Sequence, residues 1–124
     1  DVRILTPHIP DKKIVFEITR GFYKQLVEAG VKIYEFTPGF NHTKNFVADD
    51  SLAIVGSANT DYRSYFLHYE NGCLMYKTSE IRKIKQNFLD ACEKSHLVTL
   101  DEIHKTNVIV RMIRAVLNLM IPLV

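Results

Sequence analysis

Two short segments rich in β-branched and aromatic residues, VRILTP (2–7) and VKIYEF (31–36), enclose a stretch with apolar residues at Ile14, Ile18, Phe22 and Leu26. A step of four keeps those side chains on one stripe of a helix. Strand, helix and strand in such close succession predict an α/β fold in which helices layer against a sheet. Pro7 ends the first strand, Pro10 and Asp11 mark a helix spanning residues 11–29, and Gly30 suits a left-handed cap.

The alternation continues downstream. TKNFVA and LAIVGS flank Asp49-Asp50-Ser51, which predicts a hairpin turn. GCLMYK (72–77) reads as another strand. Ser79 is placed to cap a helix carrying Ile81, Ile84, Phe88 and Cys92 on one side. Thr99 with Glu102 three residues on is a capping box. At 124 residues the chain is about one domain. Residues 1–106 are expected to form it, with 107–124 as a C-terminal helix.

That last helix has an unusual pattern. In NVIVRMIRAVLNLMI the polar residues are Asn107, Arg111, Arg114 and Asn118, one narrow stripe in an otherwise apolar segment. Its fifteen residues reach only about 22 Å, short of a ~30 Å hydrocarbon core. So wide an apolar face packs on protein or lies in a membrane interface, and the two can coexist. Promotion of vesicle binding is the corresponding expectation.

Composition narrows the partners. Sixteen basic and fourteen acidic residues give a net charge of +2, too balanced to specify nucleic acid. Two cysteines, Cys73 and Cys92, make no disulfide framework and are expected as reduced thiols in or near the core. No paired Cys or His stands at metal-ligand spacing. The chain starts at Asp1, with no signal peptide and no apolar run of about 18 residues, so it is expected to be a piece of a longer protein.

The chemistry concentrates in HTKNFVADDSLAIVGSAN (42–59). If 43–48 is a strand, His42 and Lys44 point to one face, and Ser57 and Asn59 share a face on the return arm. Gly56 permits close approach of backbone or ligand. Imidazole, ammonium, hydroxyl and carboxamide together suit phosphoryl transfer: the imidazole as nucleophile or proton donor, the others on the phosphoryl oxygens.

The spacing is His-x-Lys, four residues, Asp, six residues, Gly-Ser-x-Asn. It resembles the HKD signature of the phospholipase D superfamily. GVKIYEFTPGFNHTKNFVADDSLAIVGSANTDYRS is similar to the second HKD segment of bacterial cardiolipin synthases. The resemblance implies a phospholipase D-like layered domain, with a mixed central β-sheet flanked by α-helices. His42 would be one of two catalytic histidines, most simply the general acid and later the base. Lys44 and Asn59 would hold phosphoryl oxygens and Ser57 would support that pocket. Asp49 would be a motif residue organising the hairpin, and Glu70 the partner that orients the His42 ring. Arg63 would steady a loop or touch anionic lipid. His8, His68, His96 and His104 lack comparable spacing and are read as non-catalytic. No cofactor is implied.

The resemblance also defines what one motif leaves out. Two HKD motifs make one site in a cardiolipin synthase, and this chain holds one. It is expected to be the C-terminal half of a bacterial membrane enzyme, inactive alone, with the N-terminal HKD half as partner. Phosphatidylglycerol and anionic membrane lipid are the expected ligands; the reaction would give cardiolipin and glycerol through a phosphohistidine. A single-motif phosphodiesterase or nuclease working as a homodimer is the alternative, together with a non-catalytic fragment.

Overall fold

The computed structural model describes residues 1–119 and 121. Strand β1 (Arg3–Pro7) runs parallel to β2 (Lys32–Phe36), with Arg3 opposite Lys32 and Pro7 opposite Phe36. Parallel neighbours need a crossover. Helices α1 (Lys13–Gly21) and α2 (Tyr23–Glu28) supply it. A short β6 (His96–Leu97) adds antiparallel to β2.

The crossover is two helices rather than the expected single one. The break falls at Phe22, whose N–H bonds to the Thr19 carbonyl at 3.1 Å, a tighter turn than an α-helix makes. Gly21 explains the position: a Cβ there would come within 3.0 Å of the Asn118 carboxamide. Glycine admits that neighbour and weakens the helix in doing so. The break also redirects the apolar stripe. Ile18 is buried and Leu26 packs on the core, but Ile14 and Phe22 face outward, and Tyr23 enters the core in place of Phe22. Gly30 takes the expected positive φ, 88°.

Tyr23, Ile33 and Val98 are buried together, with Leu26, Val27, Val31 and Ile103 against them. Ile33 is only 1% exposed on the middle strand. Burying such a side chain contributes about 1.5–3 kcal/mol.

A second sheet carries the motif. Strands β3 (Asn45–Ala48), β4 (Leu52–Gly56) and β5 (Gly72–Tyr76) form an antiparallel meander. Asp49 and Asp50 have φ of 48° and 58°, and the Ser51 N–H bonds to the Ala48 carbonyl at 3.1 Å. That is a primed hairpin turn, the kind whose twist matches the strands. In place of the single central sheet expected, the described residues therefore form two three-stranded sheets, one mixed and one antiparallel. Helix α4 (Glu80–Glu93) touches strands of both.

Two smaller expectations change. Ser79 makes no cap bond, because its own backbone is already helical (φ −63°, ψ −27°). Cys92 is buried, but Cys73 lies exposed on β5. The Thr99–Glu102 capping box does form, opening α5 (Leu100–Lys105). Helix α6 (Val108–Asn118) follows, with Asn107 accepting the Ile109 N–H at 2.8 Å. The C-terminal helix was expected over 107–124; of that span Met120 and residues 122–124 lie outside the described residues. Among the described residues no helix is long and apolar enough to cross a membrane.

Candidate active site

Strand β3 begins at Asn45, later than the 43–48 segment expected. The ladder nevertheless runs one rung further, since the Lys44 carbonyl accepts the Gly56 N–H at 3.1 Å. His42 and Lys44 therefore leave the sheet at the same end at which Ser57 and Asn59 emerge from β4. Gly56 is needed by the backbone. A Cβ there would lie 2.5 Å from the Asn71 carbonyl oxygen and 2.9 Å from the Gly72 Cα. Only glycine lets β4 and β5 close behind the site.

On the β3 arm, the His42 ring stacks on Phe40 with centroids 5.7 Å apart and planes 16° from parallel. The Lys44 ammonium donates to the His42 carbonyl at 2.8 Å. This contact curls the lysine back over the segment that carries the imidazole.

On the β4 arm, the Ser57 N–H continues the ladder to the Asn71 carbonyl at 2.9 Å, and the Ser57 Oγ accepts the Asn71 N–H at 3.0 Å. The Ser57 hydroxyl donates to Glu70 Oε2 at 2.5 Å, with the Asn71 carbonyl a second acceptor at 3.3 Å. Its one proton is engaged within the protein, so in this geometry Ser57 positions Glu70 rather than donating outward. The hydrogen bonds from Ser57, then Ser64 and His68, hold the Glu70 carboxyl below the usual carboxylate range.

Glu70 was expected beside His42. Its ring partner is instead His68, whose Nδ1 lies 3.5 Å from Glu70 Oε1. No hydrogen bond joins Glu70 to His42 among the described residues. Arg63 Nε donates to His68 Nε2 at 3.2 Å, which leaves the His68 proton on Nδ1, facing the carboxylate. Arg63, His68, Glu70 and Ser57 thus form one chain of polar contacts. The sequence reads His68 as non-catalytic, and its contacts here are with Glu70 and Arg63. Its only signal in the sequence was its place two residues before Glu70, in a loop that folds back.

Asn59 is held by its backbone. Its N–H donates to Ser64 Oγ at 3.1 Å, and Ser64 is fixed in turn by its own N–H to Asp61 Oδ1 at 2.7 Å. Asp61 caps α3 (Tyr62–Phe66), and Ser64 is buried. The Asp61-x-x-Ser64 spacing could have indicated that anchor.

Asp49 lies elsewhere. It occupies the hairpin turn at the far end of β3, about 16 Å along the strand from Lys44 at ~3.3 Å per residue. Its place is structural, beside Asp50, whose carboxylate pairs with Lys85 of α4 at 2.5 Å. Among the described residues no cluster of His, Cys, Asp or Glu is placed to hold a metal ion.

Comparison with known proteins matches residues 1–92 to the family model described as "Cardiolipin synthase, PLD-like domain". That match covers the hairpin, Arg63, His68 and Glu70. This chain belongs to the cardiolipin synthase PLD-like domain family. Among similar members, a protein named cardiolipin synthase 2 from Bacillus anthracis is 42% identical over 99% of this chain, and a cardiolipin synthase from Geobacillus sp. (strain WCH70) is 39% identical over the same share. A protein of Streptococcus mutans serotype c described only as uncharacterized is 44% identical over 99% of the chain. The PLD-like chain spans about a quarter of their lengths: 24% of each of the two synthases and 27% of the Streptococcus protein. No solved structure gives a significant match.

Proposed function

We propose that this PLD-like domain supplies one half of a phosphatidyl-transfer site in a cardiolipin synthase. The observation that carries the reading is the register of the hairpin. It sets His42 and Lys44 on one arm, at the same open end as Ser57, Asn59 and the Glu70 cluster on the other. A second histidine, from a preceding HKD half or a second copy of the chain, completes the site.

The reaction follows from the groups present. The second histidine attacks phosphorus of phosphatidylglycerol, forming an N–P bond and breaking the P–O bond to glycerol. His42 gives its proton to the departing alkoxide. The neutral His42 then takes the hydroxyl proton of a second phosphatidylglycerol, whose oxygen displaces histidine from phosphorus. Cardiolipin and glycerol result, and no nucleotide or cofactor is consumed. Lys44 and the Asn59 amide meet the negative charge on the non-bridging oxygens. Lys44 must exchange its bond to the His42 carbonyl for the phosphate. Glu70 and Ser57 keep the loop in place, and the Arg63–His68 pair stands ready beside it. The chain alone lacks a nucleophile and is inactive unless it pairs.

Thin-layer assay of lipid products tests this in the full-length protein proposed to carry the chain. His42→Ala is expected to abolish cardiolipin formation from phosphatidylglycerol. Near-normal synthesis would sink the assignment.

A further inference from the structure

Helix α6 meets the rest of the molecule the wrong way round. An amphipathic surface helix ordinarily turns its apolar face to the core and its polar stripe to water. Here Arg114 and Asn118 of the polar stripe turn inward beside Val110 and Leu117, while Asn107 and Arg111 stay exposed. Arg114 donates to Glu17 of α1 at 2.8 Å, and Asn118 sits against Gly21. Val108, Ile109, Met112, Ile113, Val116 and Leu119 form the outward face and are 53–81% exposed. Six large apolar residues on one unpartnered helical face are not random surface scatter.

A basic cleft runs along the edge of that face. Arg20, Lys24, His104, Arg111, Arg114 and Asn118 line a space of about 180 Å³ between α1, α2, α5 and α6. Several waters at ~30 Å³ each would fill it, so a phosphodiester group has room. No lining residue is acidic. Arg20 and Arg114 are occupied by Glu35 and Glu17, and Lys24 is loosely paired with Glu28 at 3.7 Å. Arg111 and His104 have no ion-pair partner among the described residues. Asn118 adds a buried amide oxygen that no described group bonds. Rotating that amide would present its NH₂ to an anion.

The sequence gives the same polarity. From Ile103 to the end of the chain there is no Asp or Glu, while Lys105, Arg111 and Arg114 are present. Arg111 stands at the margin between the inward stripe and the outward apolar face. Cations flanking a broad apolar helical face complement an anionic lipid surface: headgroup at the cations, acyl chains on the apolar side chains. A second copy seated on the same face would set this basic margin against itself.

We propose that α6 is an interfacial helix that docks the domain on an anionic phospholipid bilayer, with the cleft bounded by Lys24, His104 and Arg111 receiving a lipid phosphate. This surface is separate from the His42 hairpin and does not depend on the catalytic reading.

Vesicle flotation of the intact chain tests it, with phosphatidylcholine vesicles compared to phosphatidylcholine–phosphatidylglycerol mixtures. The chain is expected to float with the anionic vesicles and to bind neutral ones at least tenfold more weakly. Lys24→Ser and Arg111→Ser should each weaken anionic binding about fivefold, the scale of one cation near a charged membrane. Met112→Ser and Val116→Ser should weaken binding to both vesicle types. All substituted positions are surface ones, and unchanged circular dichroism and melting curves establish that folding is intact. Equal flotation with both vesicle types would overturn the proposal, as would indifference to the four substitutions. So would a response to inorganic phosphate, read at the His104 ring resonances, without vesicle binding. A dimer in sedimentation equilibrium that Val116→Ser dissociates would assign the face to a second copy instead.

Discussion

Among the described residues three glutamates each meet a histidine, Glu102 pairing with His96 at 2.9 Å; the other two, Glu35 and Glu70, are held in opposite ways. Glu35 on β2 is 3% exposed; Arg20 grips both its oxygens at 2.9 and 2.7 Å, and His8 bonds one of them at 2.8 Å. Beside them the Tyr23 hydroxyl meets Thr6 Oγ at 3.0 Å, and burial pushes the Tyr23 phenol up to about 12. Glu70 is partly buried, its side chain 20% exposed, with Ser57 close and His68 at 3.5 Å. The first cluster is saturated by its own neighbours and sits between the crossover helix and the sheet. The second retains groups that can change partners. Similar residue types thus hold the fold in one place and remain available to a ligand in the other; what separates them is burial and the number of charged hydrogen bonds.

The strongest way to break the contrast is to unpair the sealed carboxylate. Arg20→Ala should destabilise the domain by about 3–5 kcal/mol in urea unfolding, because Glu35 is left buried without its charge partner. A cost near zero would mean that the two clusters do not differ in kind. His8→Ala removes a single bond to the same carboxylate from a half-exposed ring, and about 1.5 kcal/mol is expected.

The pH dependence sharpens the comparison. Burial alone would raise the Glu35 carboxyl, but hydrogen bonds from Arg20 and His8 outweigh it and hold it below its usual range. The unfolded chain therefore takes up this proton first as pH falls. The stabilisation is complete above the ordinary glutamate value of about 4.3 and disappears as pH drops through the lower folded value. Unfolding curves collected between neutral and acid pH should show that loss, and Arg20→Ala should flatten it.

Glu70→Gln should leave the unfolding transition where it is, yet lower turnover of the full-length protein by roughly tenfold to a hundredfold through a misplaced loop. A fall in stability with unchanged turnover would reverse the roles assigned to the two glutamates. At the small end, Thr99→Ala should cost about 1 kcal/mol for a cap that forms, and Ser79→Ala close to nothing for one that does not.

Much of the hairpin was legible in the sequence because local chemistry decides it. Asp49-Asp50 tolerates positive φ, and β3 and β4 have the composition of strands, so turn and register follow from neighbours in the chain. The Thr99–Glu102 box and Gly30 are local in the same way. The break at Phe22 follows the helix-weakening Gly21, but the neighbour that glycine admits, Asn118, is nearly a hundred residues away and was not legible. The separate second sheet was hidden: nothing local states that the β3–β4 hairpin joins β5 rather than β1 and β2. The contact of His68 with Glu70 was not legible, because it comes from a loop that returns Glu70 to Ser57. The stripe on α6 is visible in the sequence as a pattern; that its Arg114 turns inward depends on Glu17, on another helix.

The half-site is tested most directly by an activated substrate. A phosphatidyl ester of p-nitrophenol needs no acid for its leaving group, so the first step can proceed without His42. In the full-length protein carrying His42→Ala, release of nitrophenolate in one burst, about stoichiometric with enzyme and followed by no steady turnover, is predicted. Steady turnover at the wild-type rate would contradict a role for His42, and absence of any burst would contradict its assignment as the acid and base of the pair.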